Sequence, residues 1–269
     1  KDPNYRVLNL TSNTFNDSRT SYYHKSIGGY HAAKLRRYSD IITRNIQYEM
    51  QEIIAFFQRE NQVITDSTLQ LMLARQDVLN MLNMKYVIVN PEGQPLPNQS
   101  RLGNAWFVSN IKWVENADEE IEALNSFDPG QTAIVDKKFE EKLAGFQAGQ
   151  DSAASISLTS YQPNELAYKS SSTVEQLAVF SEIYYNDKKG WNVYLDGELV
   201  PHARANYVLR TMLIPAGEHE IVFKFEPESY RNGETFSLIA SILLMLFVGG
   251  ALFLSWRSSR NTEEEAEAE

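Results

Sequence analysis

A short segment near the N-terminus combines side chains suited to binding a sugar and a phosphate. Aromatic rings offer flat apolar faces to sugar rings, and basic side chains offer charged donors to a phosphate. Gly28 and Gly29 would let a backbone approach closely, and a helix predicted to begin near Ala32 would add the partial positive charge of its N-terminus. The candidate binding residues are Tyr22, Tyr23, His24, Tyr30, His31, Lys34, Arg36 and Arg37.

The same residues also fit a structural role, in which the tyrosines pack in the core and the basic side chains lie on a solvated helix face. A second set of aromatic residues, later in the chain, could form a stacking platform for glycans. Within that set Tyr194 is the most exposed candidate, because Trp191 and Val193 alternate with it and are expected on the inward face. The other members are Tyr184, Tyr185, Trp191 and Tyr207.

Composition excludes several kinds of chemistry. The chain has no cysteine, so disulfides, thiolate catalysis and cysteine-ligated metals are ruled out. Its four histidines lie apart without metal-ligand spacing, and no catalytic or nucleotide-binding motif occurs, so we predict no metal, no cofactor and no catalytic residue. The formal net charge of −10 argues against nucleic-acid binding.

The elements that must position the N-terminal segment alternate between strand and helix patterns. Tyr5 to Leu10 alternates as a strand, and the apolar stripe from Leu35 to Phe57 recurs every three, four or seven residues, which predicts a long amphipathic helix. Residues 66–82 predict a second helix, and residues 105–114 predict a single strand. Alternating strands and helices favour an α/β domain over residues 1–144.

A change of period marks a second domain. Residues 145–154 are small, polar and glycine-containing, which predicts a linker. From Ser155 the apolar residues recur every second position, with turns such as Asp196-Gly197 between them. This pattern favours an all-β antiparallel sandwich over residues 155–227.

A single membrane helix is predicted near the C-terminus. Phe236 to Trp256 has no charged residue, and 21 helical residues span roughly 30 Å, the thickness of a bilayer core. Residues 228–235 would connect the β domain to this helix, and the glutamate-rich residues 257–269 would form a disordered acidic tail. Basic residues are balanced on the two sides, so charge does not orient the helix.

The start of the sequence carries no apolar signal segment. Without relatives to compare, the chain is expected to be either the C-terminal piece of a larger membrane protein or a tail-anchored protein with its domains in the cytoplasm. The reading frame upstream of Lys1 would separate the two.

Five segments, spread over nearly the whole chain, have distinctive sequences. They are SIGGYHAAKLRRY (Ser26–Tyr38), VLNMLNMKYVIV (Val78–Val89), LGNAWFV (Leu102–Val108), GWNVYLDGELV (Gly190–Val200) and PAGEHEIVFKFEP (Pro215–Pro227). The GW…Y.DG and P.G.H.I.F.F.P patterns in the last two are the most specific. Together these segments resemble the C-terminal part of the YfhO family of bacterial membrane proteins.

The resemblance implies a longer protein whose upstream part crosses the bacterial cytoplasmic membrane many times, in a fold like that of C-type glycosyltransferases. Such enzymes use polyprenyl-phosphate-linked sugars, and their catalytic carboxylates lie in early extracytoplasmic loops outside this chain. The expected partners are therefore the lipid bilayer, the upstream helices, and a polyprenyl-phosphate sugar or an envelope glycan. The soluble domains would lie outside the cell membrane and the tail in the cytoplasm.

An alternative remains open from the sequence. The chain could instead be a non-catalytic, membrane-anchored β-sandwich module that binds glycans or another envelope protein. It would then need no upstream membrane machinery.

Overall fold

Four sheets and a long C-terminal helix organise the part of the chain that the structure, a computed structural model, describes. It describes residues 4–59, 63–147, 149, 151–185 and 190–266, with the backbone alone for residues 231 and 258–266. The elements of the N-terminal half are β1 (Arg6–Asn9), α1 (Arg19–Tyr23), α2 (Arg36–Ile41), α3 (Gln47–Gln58), α4 (Asp66–Leu73), α5 (Asp77–Met81), β2 (Met84–Ile88), β3 (Leu96–Pro97), β4 (Ala105–Val108), β5 (Asn110–Val114), α6 (Ala117–Ala123) and β6 (Thr132–Asp136).

Two parallel strand pairs lie in this half. β1 pairs with β2, with the five helices α1 to α5 between them in sequence, and β5 pairs with β6 across α6. A π-helical turn, Ile42–Ile46, joins α2 to α3, so the predicted long helix is continuous from Arg36 to Gln58. The predicted second helix is instead divided into α4 and α5. Residues 137–143 form a 3₁₀ helix rather than an α-helix.

The C-terminal half consists of antiparallel strands. They are β7 (Ser155–Gln162), β8 (Glu165–Ser172), β9 (Gln176–Ile183), β10 (Trp191–Leu195), β11 (Glu198–Val200), β12 (Ala203–Ala205), β13 (Leu209–Ile214) and β14 (Gly217–Phe225). A five-stranded sheet has the order β11-β10-β14-β8-β7, and a four-stranded sheet has the order β12-β13-β9-β4. Tyr168, Phe180 and Phe223 of the two sheets share one buried cluster, with ring centroids 4.9 to 6.1 Å apart.

The predicted linker at 145–154 does not separate two independently packed bodies. β4 precedes it in the chain, yet β4 pairs with β9, placing Trp106 opposite Val179. Leu8 from the N-terminal half and Leu209 from the C-terminal half belong to the same buried cluster. The described chain is therefore rich in β structure with several antiparallel sheets, and its two halves share a sheet and a core.

The predicted strand over residues 105–114 is two strands in different sheets. β4 is antiparallel to β9, whereas β5 is parallel to β6. The change occurs at Ser109, where the N–H groups of Ser109 and Asn110 both donate to the carbonyl of Gln131. Apolar residues lie on both sides of the break, in AWFV (Ala105–Val108) and IKWV (Ile111–Val114), and the two polar residues between them do not by themselves predict a change of sheet.

The last element, α7 (Glu228–Ala266), has 39 residues, and its part Glu228–Arg257 is long and apolar enough to cross a membrane. None of its most apolar stretch is buried against the rest of the chain. The predicted connector at 228–235 is helical, and so is the predicted disordered tail as far as Ala266; residues 267–269 lie outside the described chain. Helix propagation from a long apolar segment costs little per added residue, which accounts for both extensions.

A buried carboxylate holds the start of α5. Glu49 of α3 accepts the backbone N–H groups of Val78 and Leu79, at 2.8 and 2.9 Å. Burial raises the pKa of Glu49 to about 8, although the two N–H donors act in the opposite direction. The folded chain thus holds a proton that the unfolded chain releases near the ordinary pKa of 4.5.

We expect the chain to lose stability as pH rises between about 5 and about 8, because the folded state binds more protons than the unfolded state in this window. In the Glu49→Gln variant this slope should be shallower. Unfolding temperatures measured across the pH range check the effect. Glu122→Gln, at an exposed position on α6 away from this site, is the control; a slope in Glu49→Gln equal to that of the control would contradict the assignment.

Candidate binding cleft

The loop around Gly28 and Gly29 is fixed against the turn that follows β1. The N–H of Gly29 donates to the carbonyl of Thr14 at 2.6 Å, and a Cβ on Gly28 would lie 1.9 Å from that oxygen. Ile27 is fully buried, and its carbonyl accepts the hydroxyl of Tyr38 at 2.6 Å. The close approach that the two glycines permit is therefore made to the protein's own backbone.

The helix that follows begins later than predicted, at Arg36 instead of near Ala32. Leu35 has an extended backbone (ψ 131°), and the Ala33 N–H donates to the ring Nδ1 of His31 in the turn before it. Lys34 consequently lies ahead of the helix, and Arg36 and Arg37 occupy its first turn. The N-terminus of a helix carries partial positive charge, so the two arginines in the first turn interact with it unfavourably. A bound anion would offset this repulsion.

Two adjoining clefts lie between this segment and the end of β9. One, of about 450 Å³, is lined by Tyr30, His31 and Lys34 together with Arg6 of β1. The other, of about 330 Å³, is lined by Arg36 and Arg37 on one side and by Tyr184, Arg204 and Tyr207 on the other. The residues common to both are Leu35, Tyr38, Ile183 and Tyr185. We refer to the two together as the composite cleft.

The structure brings together some of the predicted binding residues and leaves others outside. Those lining the composite cleft are Tyr30, His31, Lys34, Arg36 and Arg37, with Tyr184, Tyr185 and Tyr207 from the predicted aromatic platform. Tyr22, Tyr23 and His24 are exposed but do not line it. Tyr194 lies on the five-stranded sheet, where its hydroxyl donates to Glu226 at 2.7 Å.

Arg37 lines the composite cleft with its charge already paired. Its Nη1 lies 3.0 Å from an oxygen of Glu120, a fully buried carboxylate that also binds Arg204 at 2.8 Å. The N–H of Tyr207 donates to the second oxygen of Glu120 at 3.1 Å, and the Arg37 guanidinium lies 4.3 Å from the Tyr207 ring centroid. Arg37 thus holds the wall of the cleft together.

Lys34 and Arg36 provide the positive charge of the composite cleft that is available to a ligand, because the guanidinium of Arg6 already donates to Leu82 and Ser181. Neither forms an ion pair with a carboxylate among the described residues; the Lys34 ammonium lies 5.5 Å from the centroid of the Phe15 ring. Half-buried and exposed tyrosines lie beside them, Tyr30 being 65% exposed. Chemically, the arrangement offers ring faces and unpaired cations in one concave site.

Glu120 and Arg204 belong to this site and were not among the predicted residues. A signal for Glu120 exists in the sequence, because Ala117, Glu120, Ile121 and Leu124 recur with the spacing of one helix face. A carboxylate on an otherwise apolar face predicts a buried charge that needs a partner. Nothing local to Arg204 indicates that it is that partner, since the two residues are 84 positions apart.

No protein-family model, curated protein or solved structure matches this chain. The resemblance to the YfhO family accordingly stays a prediction based on the quoted segments. Those segments do have defined structural roles: Gly28 approaches Thr14, Gly190 packs against Pro227, and Asp196-Gly197 forms the hairpin turn between β10 and β11. Each role explains a residue type without specifying an activity.

Proposed function

We propose that this chain is the extracytoplasmic, membrane-tethered part of a bacterial protein resembling lipid-linked sugar transferases, and that its composite cleft binds the sugar and phosphate of a polyprenyl-phosphate donor or an envelope glycan acceptor. The observation that carries the proposal is the convergence of unpaired Lys34 and Arg36 with the rings of Tyr30 and Tyr185 in one cleft. Tyrosine rings suit the apolar faces of a sugar, and the two cations suit a phosphate.

The fold and the membrane location in this proposal are supported by the sheets and by the last helix. The face-to-face packing of the two antiparallel sheets supports a sandwich, and the parallel pairs β1–β2 and β5–β6 support an α/β part beside it. The exposed apolar surface of α7 supports a membrane span. We place the sheets outside the bacterial cytoplasmic membrane, residues after Arg257 in the cytoplasm, and upstream helices of the same protein beside α7.

Replacing both Lys34 and Arg36 by alanine is expected to weaken sugar-phosphate binding at least about tenfold, because a hydrogen bond to a charged group contributes roughly 1.5–3 kcal/mol. The probe is a short-chain isoprenyl-phosphate hexose. Its affinity is measured by calorimetry with the intact protein in nanodiscs. The unfolding temperature of the double variant should stay near that of the parent, since neither side chain is paired with a carboxylate.

Lys112→Ala with Lys169→Ala is the matched control, since both lysines are exposed and lie on strands away from the cleft. This control removes the same net charge and should leave the affinity unchanged. Equal weakening in both variants would indicate a general charge effect and would remove the cleft from the proposal.

A second candidate function is a non-catalytic, membrane-anchored module that binds glycans or an envelope protein through the five-stranded sheet. It is favoured by a polar and aromatic group on that sheet, where Tyr194 and Asn192 both donate to Glu226 at 2.7 and 3.0 Å. Glycan binding that survives the Lys34 and Arg36 replacements but is lost in Tyr194→Ala would favour this module over the cleft.

A further inference from the structure

The segment from residue 18 to residue 38 is basic in an acidic chain. It contains no aspartate or glutamate, five lysines and arginines and two histidines, whereas the whole chain has a net charge of −10. Arg19 is paired with Asp17, and Arg37 with Glu120. The ammonium of Lys25 donates to the amide oxygen of Asn4. Lys34 and Arg36 have no carboxylate partner among the described residues, so this surface keeps a local positive charge.

Three tyrosines project from this basic segment into solvent. Tyr22, Tyr23 and Tyr30 are 82%, 74% and 65% exposed, and the first two rings contact each other edge to face at 4.9 Å. Tyr30 lies near them, because Ser21, the residue before Tyr22, lines the same cleft as Tyr30. Exposed aromatic rings grouped in this way indicate a surface that another phase or molecule covers. We call Tyr22, Tyr23 and Tyr30 the tyrosine patch.

One chain of contacts places the tyrosine patch near the start of α7. The ammonium of Lys25, two residues after Tyr23, lies over the ring of Tyr161 at the end of β7. The adjoining turn continues to Asn164, whose carbonyl accepts the N–H of Phe225. Phe225 is the last residue of β14, three positions before α7.

A second connection, which starts just after β9, also links the cleft to the start of α7. Tyr185 lines the composite cleft beside Tyr30. Five residues further along, Gly190 packs against Pro227, the residue before α7, and the Gly190 carbonyl accepts the N–H of Glu226. Five residues span at most about 18 Å, so the wall of the cleft lies within that distance of the site where α7 leaves the sheets.

We propose that the tyrosine patch, with the positive charge of Lys34 and Arg36 beside it, docks on the headgroups of anionic phospholipids and holds the mouth of the composite cleft at the bilayer surface. Tyrosine suits this depth because its ring is apolar and its hydroxyl polar, and cations near an anionic surface are attracted to it. The inference rests on the proposed function in one respect, that α7 spans the membrane.

The absence of cysteine from the chain allows a direct test with a single introduced label. His24→Cys places a fluorophore next to the patch, and Ser155→Cys places one on an exposed position at the opposite end of β7, about 20 Å from Tyr161. Each labelled full chain is reconstituted in nanodiscs of phosphatidylcholine, with or without phosphatidylglycerol, containing a headgroup nitroxide quencher.

In discs with phosphatidylglycerol we expect quenching at position 24 to exceed that at position 155 at least about twofold, and to fall as salt screens the attraction. Tyr22→Ser with Tyr23→Ser should remove most of the difference. Equal quenching at the two positions, or equal quenching at position 24 in both lipid mixtures, would overturn the docking proposal.

The same discs separate this inference from the proposed function. If position 24 is quenched selectively while the isoprenyl-phosphate hexose does not bind, the docking surface stands and the sugar-phosphate function fails. If the hexose binds while position 24 escapes quenching, the docking surface fails and the cleft stands.

Discussion

Replacing Glu120 by alanine should lower the free energy of unfolding by about 3 kcal/mol, because it removes the nearest carboxylate from buried positive charge and leaves Arg204 only its longer 3.6 Å contact with Asp136. Arg204 retains only 7% of its side-chain exposure and loses its 2.8 Å contact, and Arg37 loses its 3.0 Å contact. The N–H of Tyr207 also loses its acceptor. Chemical denaturation of the full chain, followed by tryptophan fluorescence, measures the loss.

Glu122→Ala provides the control for this experiment. Glu122 lies two positions away on the same helix, is exposed, and should change stability by less than about 0.5 kcal/mol. If Glu120→Ala is as mild as the control, the carboxylate does not hold the wall of the composite cleft. If stability falls sharply but the remaining folded protein still binds the sugar phosphate, Glu120 stabilises the wall of the cleft without contributing to ligand binding.

Replacing Gly28 by alanine should lower stability by about 3 kcal/mol, at the upper end of the usual cost of overpacking. The added Cβ would lie 1.9 Å from a backbone oxygen, that of Thr14, which cannot rotate away as a side chain does. Relief requires the loop to move away from the turn at Thr14, which disturbs the Gly29 hydrogen bond to Thr14 and the adjoining cleft wall. Thermal unfolding and sugar-phosphate affinity should decline together.

Gly103→Ala tests the opposite situation, since Gly103 has a φ of +85° but no atom within 4 Å of an added Cβ. Its cost should be limited to backbone strain of about 1 kcal/mol. A Gly28→Ala variant no less stable than Gly103→Ala would mean that the loop has a ready alternative packing.

Local periodicity predicts several elements of this protein well. The helical stripe from Leu35 onward corresponds to the continuous helical segment Arg36–Gln58, and alternation after Ser155 corresponds to eight strands among the described residues. The apolar C-terminal segment corresponds to the exposed part of α7. In each case the surroundings of the chain stay the same over many residues, so the spacing of apolar residues is regular enough to predict the element.

Contacts between distant residues are what the sequence does not reveal. Arg36 and Arg37 are neighbours with the same charge, yet Arg37 is paired with Glu120, 83 positions away, and Arg36 is not. Ser109 separates two strands of different sheets, although apolar residues lie on both sides of it. Both outcomes depend on contacts between residues that are far apart in the sequence. Composition and local spacing do not predict such contacts.

Pairing of β4 with β9 has a consequence for dividing this protein experimentally. A fragment starting at Ser155 would lack β4, and the strand that runs through Leu177 and Val179 would become an unprotected edge with open N–H and C=O groups. Such an edge recruits other chains, so the fragment should self-associate instead of reporting the behaviour of an isolated module. A boundary placed before Ala105 would keep that hydrogen-bonded pair whole.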